Sequence, residues 1–311
     1  MFFQNMATAA EQVFILYIIV AVGFLADRLH IFSAKTAKAT TGLLFYTITP
    51  CVIVRSFLTT EFTKENASGL ALSFLCNVGT FAVASLISAP FFRKGDIRVN
   101  PVYKFASTYG NMGYMGLPLA EAVLGPEGAF YCSAGVIAFN VYSFTHGIWL
   151  MTKDGEEKQR FSLKRLFVNP GVISVCVGLP LFLFSVSFPK IIMQPINYMA
   201  SLNTPIAMLI LGTYISNASL KDVFKQKELY LVIALKLILL PLIMFGVFRI
   251  AGIAGVLLTA CTISASAPSA NNTVMFAAKY DKDTSVASKT VAFVSFVSVL
   301  TMPVMIALSK M

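Results

Sequence analysis

The chain has 311 residues, of which 57% are hydrophobic and only 12% are charged, and its mean hydropathy is +0.77. Soluble domains carry about 25% charged residues, so this composition excludes an ordinary soluble protein. The formal net charge of +10 does not indicate a nucleic-acid surface, because the basic residues lie in short loops and not in a patch with interleaved aromatic residues. The composition predicts an all-α protein that crosses the lipid bilayer many times.

Ten apolar runs follow one another along the chain, each long enough to cross a hydrocarbon core of about 30 Å. The predicted transmembrane helices cover residues 11–29, 36–58, 68–91, 101–122, 128–151, 168–186, 195–216, 229–249, 254–279 and 284–309. The N-terminus lacks the basic region and the small-residue cleavage site of a signal peptide, so we expect the first run to remain as a helix.

The distribution of basic residues between the loops predicts the orientation of the chain. The odd-numbered loops contain 17 Lys and Arg residues, whereas the even-numbered loops contain 4, namely Arg55, Lys64, Lys190 and Arg249. Because Lys and Arg accumulate in cytoplasmic loops, the odd loops should face the cytoplasm and both termini should lie outside the cytoplasmic membrane.

No constellation for catalysis, metal binding or a cofactor stands out in the sequence. The five cysteines are scattered singly in apolar segments without CxxC spacing, which favours small packing residues over a metal site or a disulfide framework. We find no HExxH or GxSxG motif and no paired aspartates at membrane depth, so the sequence does not predict an enzyme.

Several segments of the first half resemble segments of the second half. Three pairs are separated by 155 or 156 residues: VAVGF at 20–24 and VCVGL at 175–179, Thr49-Pro50 and Thr204-Pro205, and EAVLGPEGA at 121–129 and AAKYDKDTS at 277–285. Because each half contains an odd number of helices, the second half enters the membrane from the opposite side to the first. The pattern therefore predicts two inverted repeats, residues 1–151 and 168–311, joined by a polar cytoplasmic linker at 152–167.

The fourth helix of each predicted repeat contains residues that break helices. GNMGYMGLP occupies 110–118, and SASAPSANNT occupies 264–273. Broken helices persist in a membrane where the freed backbone groups are covered by protein or line a wet cavity. We expect interruptions near 111–117 and 266–270 that cross at the middle of the membrane, although two proline kinks that serve packing alone are the alternative.

The chemistry of such a crossing follows from the ends of the half-helices. A proline suits the first turn of a helix, so Pro118 and Pro268 are expected to begin the second half of each broken helix. Unpaired N–H groups at each restart carry about half a positive charge, and two converging restarts would form a cradle for an anion.

The predicted substrate-binding residues surround the two interruptions and include one asparagine of the fifth helix: Asn111, Met112, Gly113, Tyr114, Pro118, Asn140, Pro268, Ser269, Asn271 and Asn272. Asn111 and Asn271 could instead cap broken helix ends, and Asn140 could form a hydrogen bond between helices. Four residues around the proline of the second helix could form a wall facing the substrate, although core packing is the favoured alternative: Tyr46, Thr49, Pro50 and Cys51.

With these motifs the chain resembles the auxin efflux carrier family over essentially its full length. The resemblance rests on VGFLADRLHIFSAKTAKATTGLLFYTITPCVIVRSF at 22–57, GNMGYMGLPLAEAVLG at 110–125 and SAPSANNTVMFAAKYDKD at 266–283. It implies a scaffold of helices one, two, six and seven, and a transport domain of helices three, four, five, eight, nine and ten. It also implies an elevator-type secondary carrier of organic anions, often a homodimer. The large cytoplasmic insertion of the plant carriers is absent, since only 152–167 occupies that place.

Lys236 is expected about seven residues into the eighth helix, between apolar segments. A lysine at that depth is costly and should face the protein interior. We expect it to compensate the partial negative charge of a half-helix C-terminus, which would make transport independent of sodium; a lysine that reaches an interface is the alternative.

The sequence thus predicts a secondary carrier of small carboxylates that is facilitative or proton-linked. A sodium-coupled symporter similar to the bile-acid carriers and a membrane sensor that binds an anion without moving it stay open as alternatives.

Overall fold

The structure, a computed structural model, describes residues 2–92, 96–152, 169–217 and 226–311, and none of these residues forms a strand. The helices, in chain order, are α1 Phe2–Arg28, α2 Ala34–Thr59, α3 Lys64–Ser88, α4 Asn100–Thr108, α5 Met112–Thr152, α6 Pro170–Leu183, α7 Lys190–Ser216, α8 Lys227–Ile250, α9 Gly255–Ser266, α10 Asn272–Lys279 and α11 Thr284–Ser309.

Six of the described helices are long and apolar enough to cross a membrane: α2, α3, α5, α7, α8 and α11. The helices α6 and α9 are apolar but shorter. Most predicted boundaries agree with the observed ones to within a few residues, and the predicted span 284–309 coincides with α11. The protein is therefore a multi-pass membrane protein, as its composition predicts. The predicted linker lies outside the described residues except for its first residue.

The long helix α5 consists of two arms. At Gly125 the backbone leaves the helical region, with φ 70° and ψ −162°, a conformation that favours glycine, and Pro126 follows directly. Residues 112–124 therefore continue the fourth predicted helix, and residues 126–152 correspond to the fifth.

Four described segments have π-helical geometry: Leu44–Ile48 in α2, Met112–Gly116 and Ser143–Gly147 in α5, and Ala234–Leu239 in α8. Three of them end two residues before a proline, namely Pro50, Pro118 and Pro241. A proline lacks the N–H group and its ring collides with the carbonyl four residues earlier, so a wider turn at that point relieves the conflict. The prolines thus explain three of the four π segments.

Among the helix pairs that approach closely at glycines are α1 with α7 and α2 with α6, each of which contains helices of both predicted repeats. In the pair α1–α7, a Cβ atom on Gly23 would meet the carbonyl of Leu209, and one on Gly212 would meet the carbonyl of Val20. In the pair α2–α6, a Cβ atom on Gly178 would lie 2.6 Å from the ring of Phe57. Small residues let helix backbones approach and gain dispersion contacts, which drive helix association in a bilayer.

The four basic residues counted above with the even-numbered loops lie within helices, three of them at a helix end: Arg55, Lys64, Lys190 and Arg249. Arg55 lies deeper, in the last turns of α2, where its side chain is largely shielded and pairs with an acidic residue of α5.

Candidate binding site at the two helix interruptions

Two short extended segments, 109–111 between α4 and α5 and 267–271 between α9 and α10, interrupt helices at matching places in the two predicted repeats. The first interruption overlaps the predicted range of 111–117 only at Asn111, because the following residues are already helical. The second agrees with the predicted range of 266–270. All of the residues in both segments except the last, Asn271, are buried.

The two segments form hydrogen bonds with each other. The backbone N–H of Asn111 donates to the carbonyl of Pro268 over 2.6 Å, and the N–H of Ala270 donates to the carbonyl of Tyr109 over 2.9 Å. This pattern is an isolated antiparallel bridge. Backbone groups that lose their helical partners are costly to bury unless they are paired, and here each interruption supplies partners for the other.

The C-terminal ends of the two preceding half-helices are also satisfied. The hydroxyl of Ser269 donates to the carbonyl of Ala106 in α4 over 2.7 Å. The Nζ atom of Lys236 donates to the carbonyl of Ala265 in α9 over 3.5 Å, and Lys236 is only 1% exposed. Carbonyls in the last turn of a helix lack helical partners and carry partial negative charge, so a hydroxyl and an ammonium group suit these positions.

The N-terminal ends of the two restarting half-helices differ. The Oδ1 atom of Asn111 accepts from the N–H of Tyr114 over 3.3 Å and so caps α5. At the start of α10, the side chain of Asn271 makes no capping hydrogen bond within the described part of the chain, and Asn271 and Asn272 are both partly exposed. The backbone N–H groups of Thr273 and Val274 instead donate to the carbonyls of Ala270 and Asn271.

The two prolines differ in their positions relative to the restarting helices. The regular α-helical part of α5 begins at Leu117, so Pro118 lies in its first turn as expected, although a π-helical turn from Met112 precedes it. Pro268 lies in the extended segment before α10, where its carbonyl accepts the bond from Asn111, so the expectation that it begins a half-helix is wrong. The last residue before each restart is an asparagine.

The remaining residues predicted around the first interruption lie at the start of α5. Met112 is buried, whereas Gly113 and Tyr114 are partly exposed, and the ring of Tyr114 lies 5.7 Å from that of Phe45 in α2.

Asn140 is buried and bonded within the protein. Its Nδ2 group donates to the carbonyl of Val136, and its Oδ1 atom accepts from Asn169, the residue that caps α6. The hydrogen bond between helices, which the sequence left as an alternative, is therefore present.

The predicted wall on α2 divides into two parts. Thr49 is buried and donates to the Oδ1 atom of Asn203 in α7 over 3.2 Å. Pro50 and Cys51 are partly buried, but Tyr46 is 69% exposed on the outside of the helix. Next to Asn203, the hydroxyl of Thr204 donates to the carbonyl of Pro118 over 3.2 Å, so α7 contacts the first arm of α5 directly.

Two features near the interruptions escaped the sequence analysis. Thr273, in the first turn of α10, is fully buried, and its hydroxyl has no hydrogen-bond partner among the described residues. Glu121, in the first arm of α5, forms an ion pair with Arg55. The feature of the sequence that could have indicated this ion pair is an acidic residue one turn after Pro118, within an apolar segment.

The first arm of α5 packs closely on its neighbours. A cavity of only about 10 Å³ lies between this arm and residues of α1, α7 and α11. Its lining residues are Leu16, Tyr17, Met115, Leu119, Met208 and Met302. Such a volume holds at most about one water molecule.

A larger, open cleft of about 480 Å³ lies where the first arm of α5 ends. It is lined by Leu124, the N-terminal turns of α9 and the C-terminal end of α11, together with Arg249. The helix N-terminus and the guanidinium group both favour anions at its mouth.

The described architecture is that of a membrane transporter: a polytopic helical protein with two interrupted helices whose breaks pair with each other. The chain belongs to the family described as membrane transport protein, the auxin efflux carrier family, whose model matches residues 8–160 and 157–306.

Two relatives illustrate the similarity. The chain is 24% identical to an uncharacterised transporter of Methanocaldococcus jannaschii over 282 residues, which cover 88% of this chain and 90% of that protein. It is 27% identical to a predicted malonate transporter of Rhizobium meliloti over 237 residues, which cover 73% of each protein.

Proposed function

We propose that this protein is a secondary transporter of small organic anions, with carboxylates as the substrate class, and that it acts in the cytoplasmic membrane by an elevator-type mechanism. The observation that carries the proposal is the pairing of the two helix interruptions, next to which the start of α10 has no side-chain cap. Interrupted helices in corresponding positions of two repeats are typical of midplane sites in secondary transporters. The malonate-transporter relative supports a carboxylate substrate.

The proposed architecture is a ten-helix fold of two inverted five-helix repeats whose interrupted helices, α4–α5 and α9–α10, cross each other. The close glycine contacts support the duplication. Gly23 and Gly178 are 155 residues apart, at equivalent places in VAVGF and VCVGL, and each approaches a helix of the other repeat. By this correspondence, the contact of α1 with α7 is the counterpart of the contact of α6 with α2, and these four helices form the proposed scaffold.

We place the anion at the start of α10. The start of α10 carries the partial positive charge of a helix N-terminus, which favours a carboxylate, although the N–H groups of Thr273 and Val274 donate to the carbonyls of Ala270 and Asn271. The side chains of Asn271 and Asn272 and the hydroxyl of Thr273 supply neutral donors there. Asn111 contributes through its position opposite Pro268, although its own carbonyl and side chain are occupied in capping α5.

Lys236 supplies the positive charge of the proposed site. Its ammonium group lies at the carbonyl end of α9, and a Cβ atom on Gly110 would be 3.1 Å from Nζ. When protonated, Lys236 neutralises this helix end without a bound metal ion, so we propose transport that is independent of sodium, either facilitative or linked to protons. The π-helical segment around Lys236 supports a functional role, because such segments are common at functional sites.

The proposed orientation places both termini outside, on the basis of the Lys and Arg distribution. We also propose that the protein forms a homodimer, and this part of the proposal rests only on the resemblance to the family.

The experiment that tests the proposal is a thermal-shift screen of the purified protein against mono- and dicarboxylates, followed by uptake of the best ligand into proteoliposomes. A ligand that stabilises the protein and is taken up identifies a carrier. A ligand that stabilises the protein without uptake identifies an anion sensor.

A further inference from the structure

An ion pair joins the proposed scaffold to the proposed transport domain. Arg55 lies in the last turns of α2, and Glu121 lies at the end of the first arm of α5. Their side chains are 14% and 12% exposed, so the pair is mostly shielded by protein. Near it, Thr204 of α7 bonds to the carbonyl of Pro118, so two scaffold helices hold the same arm.

The pair is only half satisfied. Arg55 binds Glu121 through one terminal nitrogen, while the Nε atom of Arg55 and the Oε2 atom of Glu121 have no hydrogen-bond partner in the part of the chain that the structure describes. A shielded pair whose remaining polar atoms are unpaired is weak evidence for stability, since desolvation offsets much of the attraction. Its presence is better explained by a contact that forms in one conformation and breaks in another.

The pair has no counterpart in the second repeat. At the separations of 155 and 156 residues found above, the positions equivalent to Arg55 and Glu121 are Ile210 and Ala277, which carry no charge. The contact therefore stabilises α5 against α2 at one end of the molecule, and the equivalent contact at the other end cannot replace it.

We propose that Arg55 and Glu121 form an ion-pair gate at the outer end of the molecule, which stabilises the closed arrangement of α2 and the first arm of α5 and must break in each transport cycle. The terms scaffold, transport domain and outer end, and the comparison with the second repeat, rest on the proposed function and orientation. The pair itself does not.

Hydrogen–deuterium exchange of the purified full-length protein tests the gate without any substrate. The variants are Glu121→Gln, Arg55→Gln and the double exchange Arg55→Glu/Glu121→Arg, and the matched control is Glu127→Gln, an exposed carboxylate on the same helix. In both single variants we expect exchange in 49–59 and 117–124 to rise at least about tenfold, because one charge of a shielded pair loses its partner. The double exchange and the control should remain within about twofold of the wild type, since both retain an ion pair at this place.

Two results would overturn the gate. One is unchanged exchange in 49–59 and 117–124 in both single variants. The other is an equal rise in α8, which would mean that the pair only maintains the fold. As a second measurement, a disulfide formed in Arg55→Cys/Glu121→Cys should abolish uptake of malonate into proteoliposomes and a reductant should restore it; uptake that continues with the disulfide formed contradicts the gate. Absence of uptake in the wild-type protein would refute the proposed function, while the exchange result would still decide whether the pair opens.

Discussion

The backbone amide of Asn111 and the carbonyl of Pro268 share a hydrogen bond of 2.6 Å, although the two residues belong to different interrupted helices. A reciprocal bond from Ala270 to Tyr109 completes the bridge. Each interruption would leave buried backbone groups unpaired if it occurred alone, and such groups are costly in a membrane. The two breaks are therefore stable only as a pair, and this mutual dependence explains how helix-breaking sequences can persist in the middle of apolar segments.

Gly110 should be intolerant of substitution, because a Cβ atom there would lie 3.1 Å from both the carbonyl of Ala267 and the Nζ atom of Lys236. Gly110→Ala should lower the melting temperature and abolish ligand-induced stabilisation. The matched control is Gly113→Ala in the same motif, since no atom of the described residues lies within 4 Å of its Cβ position. Equal effects of the two substitutions on the melting curve would contradict the crowded bridge.

Asn271→Ala and Thr273→Val should weaken binding of a carboxylate without a large loss of stability. Losing a hydrogen bond to a charged ligand costs about 1.5–3 kcal/mol, which corresponds to roughly tenfold or more in affinity. Isothermal titration with malonate measures the change, and Thr284→Val at the exposed start of α11 is the control. Unchanged affinity in both site variants would move the anion away from α10.

Asn111→Ala should behave differently, because this side chain caps α5. The loss of an N-cap costs about 1 kcal/mol, so the melting temperature should fall together with the affinity.

Lys236→Met should abolish transport although the side chain keeps a similar length, because the carbonyl end of α9 loses its cation. Lys236→Ala should do the same. Uptake assays in proteoliposomes test this, with Lys289→Met, at a partly exposed lysine of α11, as the control. Full activity of Lys236→Met would show that the charge has no part in transport.

Gly212→Ala should destabilise the contact between α1 and α7, because the added Cβ would collide with the carbonyl of Val20. The cost of overpacking is typically about 1–3 kcal/mol, measurable as a lower melting temperature. Gly246→Ala should be neutral or stabilising, because its Cβ position has no neighbour within 4 Å in the part of the chain that the structure describes. A lower melting temperature for Gly246→Ala together with an unchanged melting temperature for Gly212→Ala would contradict this prediction.

The sequence predicted the interruptions because glycine, proline and asparagine are poor helix formers in any context. Hydrophobic run lengths likewise predicted α11 to the residue. The restart positions could not be predicted in this way: a proline tolerates both the first turn of a helix and a position just behind a π-helical turn, and only the surrounding packing decides between them.

The ion pair between Arg55 and Glu121 was beyond the sequence analysis for a different reason. Each charge, taken alone, is unfavourable in an apolar segment, and counting loops assigns Arg55 to the nearest helix end. Only the contact between α2 and α5 brings the two charges together. The unpaired hydroxyl of Thr273 is a similar case, since burial of a threonine cannot be read from its neighbours in the chain.

The central claim is that the paired interruptions form the binding site of an organic-anion carrier. The most direct test is uptake of radiolabelled malonate into proteoliposomes containing the wild-type protein, Thr273→Val or Lys236→Met, in sodium or choline buffer. We expect saturable uptake by the wild type that is equal in the two buffers, reduced by Thr273→Val and absent in Lys236→Met. Two results would contradict the account. One is uptake no greater than in protein-free liposomes, both for malonate and for every carboxylate that stabilises the protein. The other is a strict requirement for sodium.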